Sequence, residues 1–275
     1  MSKMNKKVWV AIAGAILLSV AAFSPIHAQN VAGNPEEKKA TDEQRREENK
    51  ALLELYKNLR VADVRDGMDW IGYHNFGSLD PEVRPLFRTR VVGIARTARY
   101  LPFQGPYPDA KNDDYTEWQG WYYNNICTYP WMNDIEEGDF IAIDVSGVNV
   151  GLIGSENTLR AKLKGARGFV FNGSGIRDSD ETIMQKIPVW SRFIAQSMVQ
   201  CKIQFDAKDI PVAIGGVIIY PGDVIVADGD GVIVVPRKVA KDVAKYATKI
   251  LNLDKDTRKA SYEELNWKLD DSVTK

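Results

Sequence analysis

Short apolar runs alternate with helical stretches between residues 139 and 193, and this alternation constrains the fold more than any other feature of the chain. The runs predicted as strands are Phe140–Val145, Phe169–Phe171 and a run that begins with Pro188-Val-Trp190. Helices are predicted from an N-cap at Ser155 to about Lys164, and over Asp178–Gln185. A strand-helix-strand order suits neighbouring parallel strands, because the chain must cross back before it adds the next strand. The segment therefore predicts an α/β layer.

Helices and further strands flank this layer. Apolar residues at helical spacing predict a helix over 42–60 and a second one over Val61–Ile71. Arg88–Tyr100 is rich in β-branched residues and is predicted as a strand. Turn residues separate four more predicted strands, which are Val212–Ile214, Val217–Tyr220, Val224–Ala227 and Val232–Val235. A final helix is predicted over 237–252.

The chain begins with the composition of a cleaved signal peptide, residues 1–28. A start containing three lysines precedes the apolar run Val8–Phe23, and Ile26-His27-Ala28 offers a cleavage site before Gln29. The apolar run is shorter than the roughly 20 residues of a membrane-spanning helix, although an uncleaved membrane anchor is the alternative. We predict an exported protein, either periplasmic or secreted.

The mature protein is expected to contain a single domain with N-terminal helices. We predict a flexible leader over 29–48, the domain over 49–252, and a charged, partly helical tail over 253–275. About 245 residues of globular composition are enough for one sizeable core.

Signal cleavage narrows the partners and sites that the chain can have. The formal net charge falls from −1 to −4, because residues 1–28 hold three lysines and no acid. The absence of a basic excess or a Lys/Arg-rich tract argues against nucleic acid as a partner. His27 leaves with the signal, so His74 is the one remaining imidazole and zinc sites with two or three histidines are excluded. We predict a structural role for His74, in the loop Gly72–Gly77.

Two features of the sequence leave alternatives open. Cys127 and Cys201 either pair in an oxidising compartment or remain separate thiols. The aromatic-rich segment 107–131 is predicted to be irregular. Its side chains either cover the core or form a lid or a wall on which a sugar stacks.

Two loops are predicted to converge at one edge of the sheet. Gly151–Asn157 leads into a helix start, where free backbone N–H groups form an anion site. Asn172–Asp178 comes directly after the next strand and ends in Arg177 and Asp178. Parallel neighbours would place both loops at the edge where ligands commonly bind. We predict that Arg177 and the N–H groups of the helix start hold a carboxylate; the alternative is a surface loop whose Arg and Asp neutralise each other.

A divalent metal is predicted beside this anion site. Asp178 offers a hard oxygen ligand, and with few protein ligands the metal would keep several waters, which suits Mg²⁺ or Mn²⁺. Such a metal would stabilise an enolate as a bond next to a carbonyl breaks. Glu156, Asp180 and Glu181 are nearby acids that could steady metal-bound water or move a proton. The alternative is that each of these acids has only a structural role, as an acid at a helix N-terminus that is favoured by the helix dipole.

Several segments make the chain resemble the RraA-like family, which includes the 4-hydroxy-4-methyl-2-oxoglutarate (HMG/CHA) aldolases. The resemblance spans about residues 50–250. The segments that carry it are Val61–Asp69, Leu79–Leu86, Gly151–Gly173, Arg177-Asp178 and Gly216–Pro236.

The resemblance implies a swivelling β/β/α fold that assembles as a homotrimer or hexamer with active sites at subunit interfaces. In the aldolases a substrate-binding Arg is followed by a metal-binding Asp, and these match Arg177 and Asp178. The implied substrate-binding residues are Gly154, Ser155, Glu156, Asn157 and Arg177. The catalytic residues that we predict are Arg177, Asp178 and Glu156, with Asp178 as the metal ligand.

Two departures from the family pattern fall in these loops. Asn172-Gly173 stands where the family usually has Asp-Gly, and the loop from there to Arg177 is one residue longer. Depending on the alignment, either Ser155 or Glu156 takes the position of the family's acid.

Three functions are consistent with these residues. The first is a metal-dependent carbon–carbon lyase of the aldolase or decarboxylase type, acting through an enolate on a 2-oxo-acid-like substrate. The second keeps the site but uses an oxidised carbohydrate or keto-sugar. The third is a non-catalytic binding protein, like the family members that regulate an RNA-degrading enzyme, although an exported chain would have no access to that partner. The expected partner is therefore a small carboxylate or keto compound.

Overall fold

A mixed sheet of eight strands forms the centre of the structure. The computed structural model describes residues 35–106 and 115–274, so the predicted signal peptide and the start of the predicted leader lie outside the described residues. The strands are β1 (Arg84–Pro85), β2 (Val91–Pro102), β3 (Asp139–Asp144), β4 (Gly168–Asn172), β5 (Val189–Ser191), β6 (Ile203–Lys208), β7 (Val212–Ile214), β8 (Val217–Ile219), β9 (Val224–Asp228) and β10 (Gly231–Val235). Strands β7 and β8 form a separate hairpin, and the main sheet has the order β1-β5-β4-β3-β2-β9-β10, with β6 paired to β2.

The predicted parallel layer is confirmed. Strands β2, β3, β4 and β5 pair in parallel, whereas β1, β6, β9 and β10 pair antiparallel with their neighbours. The residues Asp144 and Asn172 are register partners at the ends of β3 and β4. The loops that continue from these two strands therefore leave from the same edge of the sheet.

The sheet curls until its two edges approach each other. Before β1 begins, the Leu79 N–H donates a hydrogen bond to the Val232 carbonyl of β10 at 3.0 Å, and the Val234 N–H donates to Gly77 at 2.8 Å. The Trp190 indole N–H reaches the Asp228 carbonyl at 3.0 Å, from β5 to the end of β9. These bonds nearly close the sheet into a barrel.

Strands β3 and β4 are apolar on both faces because a different core covers each face. Phe140 and Val170 pack with Trp190 in the core of the barrel. Alternate residues such as Ile141 and Phe169 point the other way, into a core that the aromatic segment also joins. Burial on both faces is the reason that these parallel strands read as continuous apolar runs.

Six helices lie within the described residues. They are α1 (Pro35–Tyr56), α2 (Val61–Trp70), α3 (Tyr115–Asn125), α4 (Ser155–Leu163), α5 (Ser179–Met184) and α6 (Ala240–Glu264), with 3₁₀ turns at Pro130–Asp134 and Arg237–Val239. Helices α1, α2 and α6 pack against β2, β9 and β10 in a third core. No helix in the described ranges has the length and apolar character needed to cross a membrane. Residues Asp42–Lys275 form one compact unit.

The N-terminal helix is longer at its start than predicted. The described residues 35–48 of the predicted leader belong to this helix, which ends at Tyr56 instead of residue 60. The prediction relied on apolar spacing, whereas this stretch is rich in Glu, Lys, Gln and Arg, which have high helix propensity. Pro35 stands at the first helical position, where its missing N–H is harmless.

The aromatic segment is helical where it was predicted to be irregular. Residues 107–114 lie outside the described residues, but Tyr115–Asn125 forms α3. Trp118 and Tyr122 stand four residues apart and their rings contact each other, 6.1 Å between centroids. Tyr122 and Trp131 are fully buried. This burial confirms the alternative in which the aromatic side chains of the segment cover the core.

Other differences are smaller. Strand β6 was not predicted, because only its first residue is fully buried and polar residues alternate along this edge strand. Helix α6 continues past residue 252 to Glu264, so the tail is partly helical as predicted.

Of the two alternatives for the cysteines, the structure has Cys127 and Cys201 as separate thiols. Burial raises the pKa of the Cys127 thiol.

The ion pair between α1 and the turn before β3 predicts a loss of stability in acid. Both Nη atoms of Arg45 donate to the Glu136 carboxylate, at 2.8 and 2.9 Å, and this pairing lowers the pKa of Glu136 to about 2. Because the folded state binds the proton more weakly than the unfolded chain does, the stabilisation is complete above the ordinary glutamate pKa. It is lost as the pH falls from about 4.5 to about 2.

The variant Glu136→Gln should therefore have a free energy of unfolding about 1–2 kcal/mol lower than wild type at pH 6, after allowance for the partial exposure of Arg45 and Glu136. The difference from wild type should vanish near pH 2 in urea denaturation series. Glu137→Gln is the matched control, because Glu137 is 79% exposed and contacts Arg167 only at 3.4 Å. An equal effect of the two substitutions at pH 6 would contradict the assignment.

Candidate active site

The two predicted loops meet and pair with each other at the edge of the sheet. The Ile153 N–H donates to the Gly175 carbonyl at 2.9 Å, and the Arg177 N–H donates to the Ile153 carbonyl at 3.1 Å. These bonds form a short parallel bridge between Ile153 and Ile176. The loop after β3 and the loop after β4 are thus held as one unit.

The extra residue in the second loop does not loosen it. The buried Ser174 hydroxyl accepts a hydrogen bond from the Val150 N–H at 2.8 Å and lies 2.7 Å from the Val150 carbonyl, to which it donates. The Ser191 hydroxyl lies 2.8 Å from the Gly173 carbonyl, and the Ala195 N–H donates to Ile176 at 3.0 Å. The longer loop is therefore fixed from both sides.

Two glycines allow the first loop to approach Arg177 and Asp178 closely. A Cβ added at Gly151 would lie 2.8 Å from the Cδ of Arg177 and 2.8 Å from the Ser197 carbonyl oxygen. A Cβ at Gly154 would lie 2.2 Å from the Oδ2 of Asp178. Real Cβ atoms do not tolerate such distances, so any larger residue would push the functional pair away.

Helix α4 begins at this point, and the N–H of its first residue, Ser155, faces Asp178. The N-cap is Gly154, with an extended backbone (φ −124°, ψ −168°), so the prediction of Ser155 as N-cap is wrong by one residue. A glycine fits because no side chain can occupy the space held by the Asp178 carboxylate. The Ser155 N–H faces the Asp178 Oδ2 at 3.3 Å. The first N–H groups of a helix lack partners within it, which makes this start suited to an anion.

Asp178 has a backbone conformation that frees its carboxylate. It lies in the left-handed region (φ 56°, ψ 47°) as the N-cap of α5, yet its side chain makes no capping hydrogen bond. Asp is one of the few residues that enter this region at modest cost. The Asp178 Oδ1 lies 3.6 Å from the Nε of Arg177, and the two side chains are 40% and 32% exposed. At that distance the pair is not a closed hydrogen-bonded ion pair, and both groups remain accessible to a ligand.

The two loops and the aromatic segment line one cleft of about 370 Å³. This volume is typical of sites for small molecules. The residues that line it are Tyr123, Tyr129, Gly151, Leu152, Gly154, Glu156, Asn157, Arg177 and Asp178. Of the residues predicted for the site, the structure thus brings Gly154, Glu156, Asn157, Arg177 and Asp178 together around this cleft.

Tyr123 and Tyr129 were not singled out from the sequence as site residues. The Tyr129 hydroxyl donates to the Leu152 carbonyl at 2.7 Å, and burial raises the pKa of this phenol, so it remains a donor. Tyr129 therefore fixes the loop that carries Gly151 and Gly154. Burial also raises the pKa of Tyr123, whose ring packs on Tyr129 at 5.8 Å. The density of aromatic residues in 107–131 was the one signal in the sequence for this wall.

The remaining candidate residues have different positions. Glu156 lines the cleft, but its carboxylate accepts a hydrogen bond from Arg160 at 2.7 Å on the exposed face of α4. Asp180 and Glu181 lie on the exposed first turn of α5, and neither is among the residues that line the cleft. His74 lies in the loop after α2 and is 67% exposed. Its Nδ1 is 3.4 Å from the carboxylate of Asp69, which belongs to α2.

The donor set fits a hydrated hard cation and not a closed metal centre. No cluster of three or more His, Cys, Asp or Glu side chains occurs among residues 35–106 and 115–274. The Asp178 carboxylate could offer such a cation one oxygen ligand, since the hydrogen bond that it accepts from the Ser155 N–H is long, at 3.3 Å. A metal bound there would take its other ligands from water and substrate, as Mg²⁺ commonly does.

Comparison with known proteins agrees with this geometry. A family model described as "RraA-like: Aldolase/RraA" matches residues 61–234. The chain belongs to the RraA-like family. A Halalkalibacterium halodurans protein, provisionally named 4-hydroxy-4-methyl-2-oxoglutarate aldolase, is 35% identical over 193 residues, which cover 69% of this chain and 77% of that protein. The RraA-like match includes both loops of the cleft.

Two solved structures, one of them from the RraA family, share the fold. Streptomyces coelicolor RraAS2, described as an unusual member of the RNase ES inhibitor RraA protein family, superposes with a TM-score of 0.61 at 25% identity, covering 76% of this chain and 96% of its own. A structure described among novel cellulases from microbes associated with the gut ecosystem has a TM-score of 0.61 at 26% identity, over 77% of this chain and 87% of its own. The predicted α/β fold of the RraA-like type is confirmed.

Gly154→Ala should displace the Asp178 carboxylate without unfolding the protein. Alanine tolerates the backbone of Gly154, and the clash is with the end of one side chain. We expect Mn²⁺ affinity, measured by electron paramagnetic resonance titration, to fall about tenfold or more, while thermal unfolding changes little. Gly120→Ala is the control, because an added Cβ there meets nothing within 4 Å. Unchanged Mn²⁺ affinity in Gly154→Ala would refute this role of the close approach.

Proposed function

We propose that the protein is a divalent-metal-dependent carbon–carbon lyase that cleaves or decarboxylates a 2-oxo-acid-like substrate. The observation that supports this most is the convergence of a helix start, a guanidinium and a carboxylate in one cleft. The relative provisionally named 4-hydroxy-4-methyl-2-oxoglutarate aldolase supports the same class of reaction.

In this proposal Arg177 and the start of α4 bind the substrate carboxylate. The guanidinium forms a planar fork that matches a carboxylate, and the helix start adds backbone donors and the positive end of the helix dipole. The Cβ and Cδ of Arg177 pack against the backbone of Gly151, and this contact orients the guanidinium. The substrate is thereby held with its 2-oxo group beside Asp178.

Asp178 would hold Mg²⁺ or Mn²⁺, which when bound supplies Lewis-acid polarisation of the 2-oxo group. For a 4-hydroxy-2-oxo acid, the hydroxyl proton on carbon 4 leaves to a base, and the bond between carbons 3 and 4 breaks. Its electron pair forms the enolate of the released 2-oxo acid, and a proton returned to carbon 3 completes the product. We assign the proton movement to Glu156, the carboxylate of the cleft that does not hold the metal.

The cellular location and the assembly belong to the same proposal. The lysine-rich start and apolar run indicate export to the periplasm or the medium. Membership of the RraA-like family favours a homotrimer or hexamer, with the cleft at a subunit interface.

A second candidate substrate is an oxidised carbohydrate or keto-sugar. The observation that favours it is the pair Tyr123 and Tyr129, whose rings line the cleft beside Arg177. Aromatic faces present apolar area to a ring-shaped substrate. The similar structure described among novel cellulases is consistent with carbohydrate chemistry in some relatives.

The lyase proposal predicts metal-dependent release of pyruvate from 4-hydroxy-4-methyl-2-oxoglutarate. In a coupled lactate dehydrogenase assay, EDTA should abolish release and Mg²⁺ should restore it. Arg177→Ala and Asp178→Asn should each lower kcat/KM about a hundredfold or more, because each removes a charge that stabilises the transition state. Asp180→Asn is the control, an acid two residues from Asp178 but outside the cleft, and should retain activity. Full activity in the presence of EDTA, or full activity of Arg177→Ala, would contradict the proposal.

The carbohydrate alternative predicts that sugar acids quench the tryptophan fluorescence of α3. A panel of uronic and keto-aldonic acids should include one that binds at submillimolar concentration, and Tyr123→Ala should weaken that binding about tenfold. Phe193→Ala, an exposed aromatic outside the cleft, is the control. No response across the panel counts against this alternative. A protein that neither binds these ligands nor turns over 2-oxo acids would favour the non-catalytic function.

A further inference from the structure

A second cleft, of about 490 Å³, lies at the opposite edge of the parallel strands. Five cationic residues and one acid line it, and they are Lys57, Arg90, Lys162, Arg167, Lys186 and Glu137. The whole chain has a formal net charge of only −1. We call this surface the basic cleft. Its charge is thus a local concentration and not a property of the whole chain.

The basic cleft is built by the segments that enter the strands. Arg90 directly precedes β2, Arg167 lies one residue before β4, and Lys186 lies three residues before β5. The candidate active site lies where β3 and β4 end, so strands of five or six residues separate the two clefts by roughly 17–20 Å. The two sites therefore share strands but no lining residue.

Among the residues that the structure describes, most cations of the basic cleft lack a carboxylate partner. Arg90 donates to the Asn58 carbonyl at 3.3 Å and has no ion pair with another described residue. Within the described residues no ion pair is formed by Lys162 or Lys186. Arg167 contacts Glu137 at 3.4 Å, and that acid is 79% exposed, while Lys57 pairs with Glu54. The protein itself therefore offsets the mutual repulsion of these cations only in part.

Helix dipoles explain only part of this charge. Lys162 lies in the last turn of α4, and Lys186 just after α5, where cations oppose the negative helix end. Arg90 and Arg167 precede strands and have no such role. The cleft between them is also lined by apolar groups, among them Val91 and Pro188. This combination resembles a ligand site more than a solvated charged face.

We propose that the basic cleft binds a small organic anion that carries at least two phosphate or carboxylate groups. The cations belong to four separate segments around the cleft, so one charged group cannot satisfy them together. Arginine binds phosphate and carboxylate through the same planar fork, which is why the shared chemistry defines the ligand class. The volume admits a molecule of metabolite size.

Isothermal titration of the purified protein with inorganic pyrophosphate and, separately, with citrate tests the proposal and distinguishes the two anion chemistries. At least one probe should bind at submillimolar concentration in low salt, and more weakly in 150 mM NaCl, as screening of the charges requires. The double substitution Arg90→Gln/Lys186→Gln should weaken binding about tenfold or more. The control Lys241→Gln/Lys249→Gln removes the same charge from the exposed surface of α6 and should change binding less than about twofold.

The Arg177→Ala variant separates this inference from the proposed function. Binding to the basic cleft should persist in Arg177→Ala and in EDTA, whether or not the protein proves to be a lyase. If the heat of anion binding were lost in Arg177→Ala but retained in Arg90→Gln/Lys186→Gln, the anion would be assigned to the candidate active site. That result would overturn the proposal. Absence of heat with both probes, or equal weakening by the control, would overturn it as well.

Discussion

The close approach of the Gly151–Gly154 backbone to Arg177 and Asp178 is the constraint on which the candidate site depends. Without Cβ atoms at these two positions, the α4 start can lie against the carboxylate of Asp178 and the stem of Arg177. The bridge between Ile153 and Ile176 then fixes the separation of the two loops. Because the side chain of Asp178 does not cap its own helix, α5, its carboxylate faces the start of α4 and is available to a ligand. A site of two charged side chains thus gains its precision from backbone contacts.

The nearly closed barrel explains why this arrangement is rigid. Strands β3 and β4 are buried on both faces, so the points at which the two loops begin cannot shift without disturbing two cores. The aromatic segment adds a third support, because Tyr129 bonds the carbonyl of Leu152 from outside the sheet. The loops are therefore held by the strands below them, by each other and by a helix-turn segment beside them. Catalytic and binding groups need this kind of fixed support to keep their geometry.

Features set by local pattern were predictable from the sequence, whereas features set by tertiary contacts were not. Apolar runs separated by helical stretches were sufficient for the parallel layer and for the meeting of the two loops. The start of α1 was missed because strong helix formers, and not apolar spacing, extend it to Pro35. The N-cap was predicted at Ser155 but lies at Gly154, because the carboxylate of Asp178, which is distant in sequence, fills the space where a side chain of residue 154 would lie. Tyr129 could not be identified, since its partner is a backbone carbonyl that the fold alone brings near.

The most direct measurement of the central claim is a crystal structure of the protein soaked with Mg²⁺ and oxalate, which mimics the enolate of pyruvate. We expect oxalate in the 370 Å³ cleft, between the guanidinium of Arg177 and the N–H groups at the start of α4, with Mg²⁺ on the carboxylate of Asp178. Oxalate bound without contact to Arg177, or Mg²⁺ bound away from Asp178, would contradict the proposed site.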